Sequence, residues 1–128
     1  MNGSILGVAL AAKARGLKLI AVTSLDHTMK VTPKHPSGKR LIDVADVVID
    51  NLAPYGDSSM TLEGGIGIGA VSSITAAFIA QRITIGVAET IRQRCKTPPV
   101  YISANIPEGD KHNSALEDLY GDRIRREA

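Results

Sequence analysis

Gly-Leu-Lys-Leu-Ile-Ala-Val-Thr-Ser, residues 16–24, is the stretch from which the fold is read. Leu17, Leu19, Ile20, Ala21 and Val22 form an apolar run interrupted only by Lys18. It lies between a glycine able to end a helix and two hydroxyls, Thr23 and Ser24. A short run that is apolar on both alternations suits a strand buried on both faces of a parallel sheet. Ligands of open α/β sheets bind outside the carboxyl ends of the strands, so the end carrying Thr23 and Ser24 is where a site is expected.

Working outward, residues 5–15 carry Ile5, Leu6, Val8, Ala9 and Ala12 at helical spacing, with Lys13 and Arg15 at the end and Gly16 at the left-handed capping position. Asn2 and Ser4 are the candidate caps at its start. Residues 25–38 are polar and turn-rich and read as a long loop, a feature usually functional or mobile in a compact domain. Residues 39–45 suit a short helix, and residues 46–50 (D-V-V-I-D) read as a second buried strand, followed by a loop over 51–59. Residues 60–69 alternate loosely and are glycine-rich, a pattern that allows a short extended piece.

The longest expected helix covers residues 70–94, where Val71, Ile74, Phe78, Ile85, Ala88 and Ile91 trace one face. Its first half is apolar nearly all round, which predicts burial on several sides and a homo-oligomer contact through 70–94. Pro98 and Pro99 end that region, and V-Y-I-S (100–103) reads as a third strand. Ser114 and Glu117 stand at capping-box spacing and predict a last helix, whose inner face holds Leu116, Leu119, Tyr120 and Ile124. The expected order α-β-α-β-loop-α-β-α makes this an α/β layered fold with a mainly parallel sheet, and 128 residues fit a single domain over 1–128.

Composition narrows the function. Hydrophobic residues make up 44% and charged residues 22%, so a packed core is expected. Aromatics are only 3%, which argues against stacking platforms for single-stranded nucleic acid. The net charge of +2 is too balanced to imply a nucleic-acid or membrane-surface partner; short basic clusters at 34–40 and 123–126 read as solvated faces. The one cysteine, Cys95, excludes an internal disulfide and fits a reducing cytoplasm. Gln81 and Arg82 interrupt the most apolar stretch near its middle, which favours a protein-buried helix over a membrane span.

The three expected strands are parallel, so their loops converge. Those loops carry Thr23, Ser24, Asp26 and His27, then Asn51, Asp57, Ser58 and Ser59, then Asn105, Glu108, Asp110, His112 and Asn113. The glycine-rich run before Ser72 and Ser73 opens the long helix, where free N–H groups and two hydroxyls suit an anion. It is not a mononucleotide phosphate loop, since no Gly-Lys-Ser/Thr follows, nor a dinucleotide turn after a strand. His27, His35 and His112 lack metal-ligand spacing, so no metal and no cofactor is expected.

Several of these segments resemble the SIS (sugar isomerase) domain family, and in particular bacterial sugar isomerase domain-containing proteins. They are A-L-A-A-K-A-R-G-L-K-L-I-A-V-T-S (9–24), H-P-S-G-K-R-L (35–41), D-V-A-D-V-V-I-D-N (43–51), P-Y-G-D (54–57), P-P-V-Y-I-S-A-N (98–105) and G-D-K-H-N (109–113). The resemblance runs over nearly the whole chain. It implies a three-layer, Rossmann-type α/β sandwich that binds a phosphorylated sugar, with aldose–ketose isomerisation as the possible reaction. Carried over by position, Thr23 and Ser24 are the hydroxyl pair after the second strand, and Ser72 and Ser73 the hydroxyls that grip phosphate. His112 and Glu63 are the expected proton carriers, His112 because a neutral imidazole exchanges protons near neutral pH. SIS domains begin with a helix and a first strand that ends in a Ser-x-Ser-Gly-like phosphate loop. Met1 stands where the helix after that loop is expected, so an N-terminally truncated version of the fold is expected here. The alternative expectation is a non-catalytic binding or assembly module, or a fragment of a larger SIS protein.

Overall fold

The computed structural model describes residues 3–121. The chain divides into two compact units, Met1–Gln81 and Arg82–Ala128.

The first unit opens with α1 (Gly3–Ala14), an alanine- and leucine-rich helix that buries Leu6 and Ala9. Gly16 ends it as expected. With φ at 77° it lets its own N–H reach Lys13 O (2.9 Å) and the Leu17 N–H reach Ala12 O (3.1 Å), the paired bonds of a Schellman motif. The chain then enters β1 (Ile20–Thr23), followed by α2 (Leu25–Lys30), a 3-10 turn (Leu41–Asp43) and β2 (Val47–Asp50). β1 and β2 pair in parallel, Ile20 opposite Val47 and Thr23 opposite Asp50. Asp46 fastens the start of this pair: its carboxylate accepts from Leu19 N (2.8 Å), Lys13 Nζ (2.9 Å) and Lys18 Nζ (3.3 Å).

Two expectations change here. The 25–38 loop contains a helix, because Ser24 caps it and Lys30 pairs with Asp26 one turn earlier, at 2.6 Å. The strand at 16–24 is not buried on both faces: Ala21 is 3% exposed, but Ile20 is 58% and Val22 37% exposed. The apolar pattern is that of a two-faced strand, yet among the described residues only one of its faces is covered.

The second sheet is a hairpin, β3 (Ser58–Thr61) against β4 (Gly67–Ala70), antiparallel, with Met60 opposite Ile68. Gly64 and Gly65 take φ of 84° and 82° in its turn, a conformation that side chains resist. This is the loosely alternating glycine-rich stretch. β4 runs directly into α3 (Val71–Gln93).

The second unit holds the later part of α3, the extended segment 98–103 and α4 (Gly109–Tyr120). α3 ends in the same kind of motif as α1, with Cys95 at φ 56° in the glycine position. No strand forms at 100–103 among the described residues. Side chains of α4 take the place of a ladder: Asn113 bonds both Ile102 N (3.0 Å) and Ile102 O (2.9 Å), and His112 Nε2 lies 3.0 Å from Val100 O. α4 begins five residues before the expected capping box, which therefore lies inside the helix. Gly109 lets its first turn pass close to the preceding segment, since a Cβ there would run into Ser103 O and Ala104 Cα. Ile124 and the basic cluster at 123–126 lie outside the described residues, as does Asn2.

None of the described residues of α3 is buried; Ile74 and Phe78 are among its exposed apolar side chains. By length and composition alone it is the one helix among the described residues able to cross a bilayer. Ile83, Val87 and Ile91 of α3 form an apolar groove of about 250 Å³ with Pro98, Pro99 and Val100.

Candidate functional site

A cleft of about 310 Å³ opens at the carboxyl ends of β1 and β2, lined by Val22, Thr23, Ser24, His27, Asn51, Ala53, Pro54, Asp57 and Ser72. Its floor follows from the strand ends. Ser24 is buried and does two things at once: its Oγ accepts the His27 N–H (3.0 Å), capping α2, and donates to Ala53 O (2.5 Å). Thr23 Oγ1 meets the buried Thr28 hydroxyl at 3.1 Å. After β2, Asn51 is buried and folds back so that its Oδ1 accepts the Ala53 N–H (3.1 Å), an Asx turn that fixes the loop.

The rim is the turn P-Y-G-D, held by two adjacent residues of α2. Tyr55 N–H donates to Asp26 (2.8 Å) and Gly56 N–H donates to His27 Nδ1 (3.2 Å). Because Nδ1 accepts, a neutral His27 carries its proton on Nε2. The imidazole also stacks on Tyr55, ring centroids 5.4 Å apart. The Asp26 carboxyl lies below its ordinary range, first through the bond from Lys30 and then through Tyr55 N–H.

Asp57 closes the arrangement. Its Oδ1 accepts the Ser72 N–H (2.7 Å) and its Oδ2 the Ser72 hydroxyl (2.5 Å), while its own carbonyl lies 3.4 Å from Val71 N. The Ser72 hydroxyl, and after it the Ser72 N–H, hold the Asp57 carboxyl below the usual carboxylate range; the nearby His27 adds to this and partial burial opposes it. An ionised side chain of the protein therefore sits at the first turn of α3.

Of the residues expected to form a site, Thr23, Ser24 and Ser72 line this cleft together. Ser73 is exposed one residue on and is not part of the lining. Glu63 is exposed in the turn between β3 and β4 and is also outside it. His112 belongs to the second unit, where its ring is engaged with Val100 O. Asp57, His27 and Asn51 are lining residues that the resemblance did not assign. Their signal was their position in loops following apolar strands. Among the described residues no cluster of His, Cys, Asp and Glu is arranged to hold a metal ion.

No protein-family model matches the chain. Curated relatives do. A UPF0309 protein of Listeria monocytogenes is 41% identical over 122 residues, which are 93% of this chain and 52% of the relative. A UPF0309 protein of Caldanaerobacter subterraneus is 36% identical over 127 residues, covering 97% of this chain and 52% of the relative. One from Halalkalibacterium halodurans is 37% identical over 114 residues, 88% of this chain and 47% of the relative. The chain spans about half the length of the curated relatives it matches. By sequence it is a homologue of the UPF0309 proteins, matched over that half.

Proposed function

We propose that the chain binds a phosphorylated sugar in the cleft at the ends of β1 and β2. The observation that carries this reading is the convergence there of Thr23, Ser24, His27, Asn51, Asp57 and Ser72 in about 310 Å³, a volume at the small end of the range for small-molecule sites. Hydroxyl, amide, imidazole and carboxylate groups together match the donors and acceptors of a carbohydrate. The reading includes the three-layer α/β sandwich implied by the SIS resemblance, which the parallel pairing of β1 with β2 supports. It assumes a cytoplasmic setting, with Cys95 the sole thiol. Titration calorimetry with a panel of hexose and pentose phosphates tests it: saturable heat that is lost in Asn51→Ala is expected, and no heat with any of them overturns it.

Aldose–ketose isomerisation is the reaction to which this reading extends. Its expected proton carriers, Glu63 and His112, are outside the cleft lining, so binding is the part that the geometry favours. Deuterium entering C2 of a sugar phosphate in heavy water would report the reaction, and its loss in His112→Ala would assign the base.

A second reading, an assembly module acting without catalysis, is favoured by α3. A 23-residue helix with Ile74 75% and Phe78 66% exposed has an apolar face suited to a protein partner. Arg82 at its centre disfavours lipid, since a charge in mid-span costs roughly 2.5–3.5 kcal/mol. The partner in this reading is a second copy of the chain. Sedimentation equilibrium should show a dimer or larger species that Phe78→Glu dissociates; a folded monomer at micromolar concentration overturns it.

A further inference from the structure

We infer that Asp57 decides what the α3 end of the cleft accepts: its carboxylate makes that end a receptor for hydrogen-bond donors, ligand hydroxyls or an ammonium, and turns a phosphate away from it. This rests on the carbohydrate reading above and assigns which part of such a ligand faces α3.

The assignment comes from following the protons. The start of a helix offers free N–H groups, and a serine there usually adds a hydroxyl proton, a set that suits an oxyanion. In this cleft both donors of Ser72, the residue of α3 that lines it, are already committed. The Ser72 N–H goes to Asp57 Oδ1 at 2.7 Å and the Ser72 hydroxyl proton to Oδ2 at 2.5 Å. Ser72 Oγ is left with lone pairs, which accept and do not donate. Ser24 has likewise given its proton to Ala53 O. The lining contains one carboxylate and, among the described residues, no Lys or Arg. A phosphate placed beside Asp57 would meet like charge and, at Ser72 and Ser24, no spare hydroxyl proton. A sugar hydroxyl or an ammonium would meet a carboxylate and an adjacent serine oxygen, both able to accept. The phosphate grip expected at Ser72 is thus already filled from within the chain.

Three probes titrated into the wild-type chain and Asp57→Asn test this: inorganic phosphate, glucose and glucosamine. Asparagine keeps the shape and one oxygen for the Ser72 N–H while removing the charge. The wild type is expected to bind glucosamine about tenfold more tightly than glucose and to show no phosphate binding at the Ser72 amide by NMR. Asp57→Asn is expected to erase the amine preference and to gain phosphate affinity by about tenfold. Equal phosphate affinity in the two chains overturns the inference, even if sugar phosphates bind. If no carbohydrate binds at all, the carbohydrate reading fails, while the phosphate comparison still decides the role of Asp57. Circular dichroism checks that the variant folds. If it does not, the wild type alone decides: phosphate shifting the Ser72 amide more than glucosamine does overturns the inference.

Discussion

Side chains on the strand ends were legible one at a time, whereas their partners were not. Thr23 and Ser24 could be placed at a site because they follow an apolar run, and Ser72 because it opens a helix. The bond from Ser72 to Asp57 crosses 15 residues, and nothing in the local pattern of either predicts it. Asp46 illustrates the same point with a measurable effect. The bond from Lys13, then the Leu19 N–H and Lys18, hold its carboxyl well below the usual range. A carboxyl depressed in the folded state stabilises fully above its unfolded pKa, near 4, and loses that contribution as pH falls toward the folded value. Acid titration of the wild type should therefore show stability falling below about pH 4, with Asp46→Asn less stable at neutral pH and less sensitive to acid. Leu6, 1% exposed, is the other residue on which the first unit depends. Leu6→Ala should cost about 2–5 kcal/mol by urea denaturation, the range for an emptied leucine site.

Elements ending in strong local signals were read well. Gly16 closes α1, and α3 covers almost the span that its periodicity indicated. Elements that depend on a distant partner were read less well. V-Y-I-S has the β-branched and aromatic residues of a strand, but a strand needs a neighbour to pair with, and here α4 supplies side-chain bonds instead. Asn113→Ala removes both bonds to Ile102 and should speed exchange of the Ile102 amide about fivefold, equivalent to roughly 1 kcal/mol. The six residues of α2 give too little periodicity to stand out, so the pattern over 25–38 reads as loop although Ser24 and the Asp26–Lys30 pair support a helix there. Cys95 gives a prediction of opposite sign. It occupies a left-handed position at the end of α3 that costs a side chain about 1–2 kcal/mol. Cys95→Gly should raise stability by about 1 kcal/mol after allowing for the added freedom of the unfolded chain, read as a higher urea midpoint.

At the scale of the molecule, the pieces of sheet are where the sequence was least informative. Three apolar runs suggested three parallel strands. The described chain instead makes one parallel pair and one separate hairpin. Residues 60–69 formed the hairpin because glycines at 64 and 65 permit its turn, a property that acts through backbone angles more than through hydrophobic pattern. The division into two units, with α3 running past Gln81, also has no counterpart in composition. The separate pairings bear on the order in which the chain acquires structure. The hairpin closes over a few residues, an event of microseconds, whereas Asp46 must find the Leu19 amide 27 residues away before β1 and β2 can zip. In stopped-flow refolding, a reporter near residues 58–70 should acquire its signal ahead of one near Asp46, and the reverse order would contradict this. A refolding chain would then carry its hairpin early and complete the cleft late, because the cleft draws on residues from Val22 to Ser72. Ligand competence would thus be among the last properties acquired, and added ligand would slow unfolding of the finished cleft without speeding its assembly.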